Sequence, residues 1–458
     1  MAYYVDSEAA NDNGVGSVGD PWQLLGAHVN GVSPGDTIYI VGDVGSARVY
    51  DEGEIDITVD GSDGSPITIM PAPGTQVEWQ HDGVQIWDCT GDWLVIWGLT
   101  FNADSPQTTG AGGANGDNCL RIDGTDCRLM YCTLKNGGNW TLLDLGAAHR
   151  TEVGYCTFLN NFAGDASDAH GIWSIDAIDD LWVHHCTCTG TKGDFVQLEM
   201  DKVYGSGHIF EYNDIWVTAG QERCCEGAFD MKQGSGIIRY NNIWNFWGTG
   251  DGDEQTCGGS GSNGEAIFIH DTGIGHWYIY GNVIHDCTIG IWVQSGGTAD
   301  VYNNTFYNMR DVDAQCAALG GHGAAIYVAD GPTEMNVWNN VFYNCLGRSV
   351  LTSTSILEVR NNIFMGCGDF TGGTSTTSDH NCWYDCDSSD SGAGDVTDDP
   401  EFTNVGSYIF TLTSGSPCID AGVDVGLDYL GDLPDMGAFE YEASEVTGPL
   451  PMFRSSRS

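Results

Sequence analysis

A short phrase recurs through the middle of the chain: Tyr212-Asn213-Asp214-Ile215, Tyr240-Asn241-Asn242-Ile243, Tyr280-Gly281-Asn282-Val283, Tyr302-Asn303-Asn304-Thr305, Trp338-Asn339-Asn340-Val341 and Arg360-Asn361-Asn362-Ile363. Read on its last Asn, the column runs Asn242, Asn282, Asn304, Asn340, Asn362 and, more loosely, Asn381. Cys132, Cys156, Cys186 and Asp214 hold the same slot upstream. From Cys132 to Asn362 the column covers 230 residues in eight steps of about 29. A repeat of this length, built of strand-like runs and a polar turn, describes a solenoid. One unit alone cannot bury its apolar side, whereas stacked coils share a continuous core.

The steps range from 22 to 40 residues, too irregular for helical repeat arrays. Helical periodicity is nearly absent; β-branched and aromatic residues alternate with polar ones in runs of four to six. Sixty-five Gly residues punctuate the runs. The expected fold is all-β: a right-handed parallel β-helix of roughly 10–12 coils, with strands ~4.8 Å apart from coil to coil so that equivalent residues stack in columns. Asn at a coil corner tolerates a left-handed backbone and can bond its stacked neighbours. The phrase is thus structural. A second column five residues on, Cys287, Met309, Cys345, Cys367 and Cys386, reads as a stack of small buried sulfur side chains. Seventeen Cys is an odd number, and their periodic placement argues for thiols rather than a disulfide framework. His184, His185, Cys186 and Cys188 alternate faces in a strand, so they form no tetrahedral metal set.

The expected organisation is an N-terminal cap with the first coils at 1–75, the β-helix at 76–400, a closing segment at 401–445 and an extended tail at 446–458. No run of 18 apolar residues exists, so no membrane span is expected. The N-terminus lacks the basic and apolar stretches of a secretory signal, which suggests either export by another route, such as within a virus particle, or a signal already removed. Sixty-four acidic residues against 15 Lys and Arg give a net charge of −49. That field repels nucleic acid and polyanionic surfaces and weighs against polyuronate or sulfated substrates unless cations bridge.

Residues 3–38, from Tyr3-Tyr4-Val5-Asp6 through Asp20-Pro21-Trp22 to Pro34-Gly35-Asp36-Thr37, resemble the N-terminal cap of the pectate-lyase-like β-helix superfamily. Residues 416–441, from Ser416-Pro417-Cys418-Ile419-Asp420-Ala421-Gly422 to Asp435-Met436-Gly437-Ala438-Phe439-Glu440-Tyr441, resemble the closing segment of its bacterial and phage members. The resemblance implies the fold but not an activity, because the superfamily includes lyases, hydrolases, epimerases, tailspikes and non-enzymatic virion proteins.

Alternation in the strand before each phrase sends two columns outward. One reads Gln197, Asp230, Phe268, Trp292, Tyr327; its neighbour reads Glu199, Lys232, His270, Gln294, Ala329. Arg121 with Asp123, Asp144, and Ser174 with Asp176 extend this face upstream. His270, Phe268, Trp292, Gln294 and Tyr327 are expected to face sugar rings, unless the inserts at 247–264 and 311–323 cover them. Asp176, Glu199, Asp230 and Lys232 are the catalytic candidates. Two of the carboxylates could act as acid and nucleophile or base, or Lys232 could abstract a proton while Asp176, Glu199 and Asp230 hold Ca²⁺. An ion-pair ladder, with Lys232 neutralising its neighbours, is the plain alternative. No other cofactor is expected, and the Gly/Asp-rich insert Asp251–Gly264 lacks the spacing of a Ca²⁺ loop.

The tail carries Met452, Phe453, Arg454 and Arg457, which suggests docking on a virion or on another copy, for instance in a trimer. Two function classes follow: a virion appendage (decoration protein, fibre or tailspike) displaying a carbohydrate-facing β-helix, or a polysaccharide-degrading lyase or glycosidase acting in the outward groove.

Overall fold

The computed structural model describes residues 1–81, 85–103, 118–137, 141–161, 169–199, 205–218, 225–232, 234–247, 264–270, 275–294, 296–310, 323–329, 334–352, 356–371 and 375–442. The interiors of the two inserts and the docking residues Met452, Phe453, Arg454 and Arg457 lie outside these.

Three parallel sheets of 14, 13 and 12 strands run the length of the molecule, each coil contributing one strand to each sheet. The 12-stranded sheet sets the count at twelve complete coils, the first reaching it at Ile55–Ile57. Register is constant over long stretches. On the 13-stranded sheet Cys188, Ile215, Ile243, Ile284, Phe306, Phe342, Phe364 and Trp383 make one inward column. Its last four rings stack at centroid separations of 5.0, 4.6 and 4.2 Å. All are buried, and each such side chain contributes roughly 1.5–3 kcal/mol.

The Asn ladder exists, displaced by one residue in two coils. Nδ2 of Asn213, Asn241, Asn282, Asn304, Asn340 and Asn362 each donates to Oδ1 of the next ladder Asn at 2.9–3.1 Å, ending at Asn381. Cys186 N joins from upstream on Asn213 Oδ1 at 2.9 Å. Asp214 and Asn242, assigned to the ladder by spacing, instead follow it on the 13-stranded sheet, where Asn242 Nδ2 bonds Asp214 Oδ1 at 3.0 Å. The left-handed residue decides the matter. It immediately precedes the ladder and is Tyr212 (φ 55°), Tyr240 (56°), Gly281 (66°), Asn303 (54°), Asn339 (52°) and Asn361 (58°). The ladder Asn therefore does not itself take that backbone.

The sulfur column lies in the core: Cys287, Met309, Cys345 and Cys367 are buried and Cys386 partly so. All fourteen cysteines among the described residues are free thiols. At the N-terminus the strand Ala2–Val5 adds to the 14-stranded sheet, and a 3-10 turn, Val29–Gly31, lies between it and the next strand of that sheet. The closing segment packs sideways against the last coils. Phe402, Phe410, Leu412, Cys418 and Met436 cover Val341, Ile363 and Cys382 on the outer face of the 13-stranded sheet. Asn339 and Asn361 hold it through Nδ2 bonds to Asp435 O and Val423 O.

Candidate functional site

The outward face of the 12-stranded sheet carries one continuous column: Asp56, Asp88, Arg121, Asp144, Trp173, Gln197, Asp230, Phe268, Trp292, Tyr327, Leu351. Apart from Trp173, its first seven positions are polar and the rest apolar. Trp173 takes the outward slot expected for Ser174, whose side chain is buried and donates to Asp176 O at 3.1 Å. The strand His170–Ser174 begins a residue out of step with the simple alternation. Asp176, two residues beyond Ser174, contributes to raising the pKa of Asp144.

Glu199, Asp230, Lys232 and His270 do come together. Gln197 Nε2 bridges Glu199 Oε2 (3.1 Å) and Asp230 Oδ2 (3.3 Å), and Lys232 Nζ bridges the same two oxygens at 3.4 Å each. The other Asp230 oxygen, Oδ1, meets His270 Nε2 at 2.8 Å. Desolvation opposes the charge of Lys232, but Asp230, Glu199 and Asp194 outweigh it, and its pKa is raised. The ammonium therefore stays charged. The ion-pair geometry expected of a ladder is present, and the Asp230–His270 contact is additional to it.

Asp194 and Glu265 join the cluster and were not legible from alternation. Two successive inward residues, Phe195-Val196 and Ala266-Ile267, separate them from Gln197 and Phe268. Asp194 is only 2% exposed. Burial, together with Glu226, Asp230 and Glu265, pushes its carboxyl well above the usual range despite Lys232. Upstream, Arg121 Nε pairs with Asp123 (3.1 Å) and Asp144 (3.9 Å). Asp144 is nonetheless pushed up to about 6, first by burial, with Arg121 opposing and Asp123, Asp176 and Asp88 adding to the rise.

The aromatic residues form a wall rather than an open platform. Phe268 stacks on His270 (3.9 Å) and on Trp292 (4.4 Å), and Trp292 leans on Tyr327 at 5.2 Å. Ring faces are spent largely on one another, leaving edges toward the groove. Gln294 continues the flanking column opposite the buried Ala329. Among the described residues, the carboxylate oxygens that converge within 4.8 Å are those of Glu54, Asp56 and Asp88 at the far end of the face. The trio Asp176, Glu199 and Asp230, expected to hold Ca²⁺, does not converge in this way.

Residues 254–387 match the family described as "Right handed beta helix region". Solved structures give the same fold. A GH136 lacto-N-biosidase from Eubacterium ramulus has TM-score 0.56 at 12% identity, over 83% of this chain and 67% of that one. A PL6 alginate lyase in complex with a trisaccharide has TM-score 0.54 at 12% identity, over 87% and 86%. Pectate lyase Pel9A aligns over 96% of each chain at 15% identity with TM-score 0.49. No curated protein sequence matches. The molecule is a right-handed parallel β-helix.

Proposed function

We propose that this chain cleaves glycans in the outer groove of the 12-stranded sheet, with Glu199, Asp230, Lys232 and His270 at the reacting centre. The observation that carries this reading is the doubly bridged carboxylate pair with His270 on its free side. A surface ion-pair ladder contributes about 0–1 kcal/mol and gains nothing from burying a further carboxyl, Asp194, beside it. Buried, mutually perturbing acid and base groups in a groove are the arrangement that proton transfer requires. That two solved enzymes of this fold, a lacto-N-biosidase and an alginate lyase, act on glycans is consistent with it.

Hydrolysis suits the electrostatics better than elimination. Lys232 is held charged by its neighbours and cannot serve as a base without first losing their support. Glu199 is the more accessible carboxylate, with 30% of its side chain exposed against 11% for Asp230. In this reading Glu199 acts as base or nucleophile and His270, oriented by Asp230, delivers the proton to the leaving oxygen. Lys232 bridges the two carboxylates and fixes their separation. A display role on a virion rested on the tail, the lack of a secretory signal, the phage-like caps and the solenoid itself, and no observation among the described residues favours it.

The test is turnover of a glycan library followed by mass spectrometry. Products that gain one water are expected, and Glu199→Gln or His270→Gln is expected to lower kcat by roughly 10²–10⁴. Unsaturated products formed without added water would reassign the site to elimination. Unchanged turnover in both variants would remove these residues from the chemistry.

A further inference from the structure

The groove is short of positive charge. Over the polar coils its two outward columns present Asp56, Asp88, Asp123, Asp144, Glu199 and Asp230, with Glu54 beside them. The cations on these columns among the described residues are Arg121 and Lys232, and both are already committed to carboxylates. At the far end the oxygens of Glu54, Asp56 and Asp88 lie within 4.8 Å of one another, and Asp88 Oδ1 has no hydrogen-bond partner.

An independent observation sits at the reacting centre. Gln197 is 4% exposed, and because Nε2 must face the two carboxylates, Oε1 is turned the other way. That oxygen has no hydrogen-bond partner. Asn118 repeats the pattern upstream at 7% exposure: Nδ2 bonds Asp144 Oδ2 at 3.2 Å while Oδ1 is unpartnered. Buried acceptors without donors are costly unless a ligand supplies the donor. Unlike a lone acidic cluster, the face combines surplus carboxylates with orphaned neutral acceptors. Both requirements are met by one kind of ligand: cationic and rich in N–H donors.

Building on the glycan-cleaving reading, we infer that the substrate is an amino-sugar polymer with free amino groups, whose ammonium groups provide the missing counter-charge along the column. Coil spacing places successive carboxylates ~4.8 Å apart, so a linear chain lying along the helix axis meets a carboxylate on most of the polar coils. A polyuronate would bring like charge to each of these positions, and a fully N-acetylated polymer would leave the carboxylates unpaired.

The experiment uses the full chain and three oligomers of equal length: glucosamine, N-acetylglucosamine and galacturonate. Binding is measured by calorimetry and cleavage by mass spectrometry. Glucosamine oligomers are expected to bind about tenfold or more tightly than the N-acetylated series, since a cleft of one sign concentrates its counter-ion by at least that factor. The advantage shrinks with added salt. Asp88→Asn and, at an exposed position, Asp56→Asn are expected to reduce it while leaving the melting transition unchanged. Equal or tighter binding of the N-acetylated or galacturonate oligomers overturns the inference; their cleavage would leave the catalytic reading standing. Tight, salt-sensitive binding of glucosamine oligomers without cleavage upholds the inference and removes the catalytic reading.

Discussion

Asn304 shows how much a single ladder residue carries. Its Nδ2 bonds Ile279 O (2.8 Å), Tyr302 O (3.1 Å) and Asn340 Oδ1 (3.0 Å), and its Oδ1 accepts both the backbone N and Nδ2 of Asn282. Asn304→Ala orphans groups on three coils in a fully buried site, so a loss of about 3 kcal/mol is expected in denaturant unfolding, at the upper end for a buried unpaired group. Asn304→Asp should fare little better, because a carboxylate keeps the acceptor and discards the donor. His208 is a second buried polar residue with a definite consequence. It is 1% exposed, its Nδ1 has no hydrogen-bond partner, and desolvation lowers its pKa from 6.5 to about 4. The unfolded chain therefore takes up the proton first on acidification. Stability from this group is complete above pH 6.5 and is lost as pH falls toward 4, by about 3 kcal/mol. His208→Gln should flatten the difference in unfolding free energy between pH 7 and pH 4.5, whatever its effect on absolute stability. An unchanged slope would show that carboxylates alone govern the acid limb.

At the scale of the coil, sequence periodicity placed the phrase on a corner but could not say which of two adjacent polar residues entered it. Tyr212-Asn213-Asp214 and Tyr302-Asn303-Asn304 look alike until the left-handed residue is known; it is Tyr212 in the first and Asn303 in the second. Stacking explains why a Tyr is tolerated there. Trp97, Tyr131, Tyr155, His185, Tyr212 and Tyr240 form a continuous outer stack with centroids 4.5–5.1 Å apart. Each stacked contact contributes roughly 0.5–1.5 kcal/mol, against a left-handed penalty of roughly 1–2 kcal/mol. Tyr155→Gly removes both, so its net effect on stability is expected within about 1 kcal/mol, whereas Tyr155→Ala keeps the penalty and loses the rings and should be clearly worse. The outward column from Gln197 to Tyr327 was legible because alternation holds in those strands. Trp173 and Asp194 were not, because the strand start at His170 and the paired inward residues Phe195 and Val196 break the period of two.

The whole molecule joins a long apolar core to a surface of net charge −49, and the closing segment shows how the two conflict. Asp420, Asp435 and Glu440 each accept backbone N–H groups there: Asp420 from Asp432 and Leu433, Asp435 from Asp420 and Tyr441, Glu440 from Leu430 and Asp435. These bonds fasten the segment that covers Val341, Ile363 and Cys382. Burial raises the pKa of Glu440 from 4.5 to about 7, with Asp435 and Asp420 adding to the rise and the Leu430 and Asp435 amides opposing it. The sign follows from which state holds the proton. Between pH 4.5 and 7 the unfolded chain has released it and the folded chain has not, so stability falls as pH rises through that window. The group is only half-buried, so the effect is modest and weakened by salt. Thermal unfolding at pH 5 and pH 8 is expected to show a smaller drop for Glu440→Gln than for the parent chain. Added salt should raise the melting temperature of the parent more at pH 8 than at pH 5, because it screens the additional repulsion between carboxylates. A Glu440→Gln chain that loses as much stability as the parent would place the alkaline weakness elsewhere in the acidic surface.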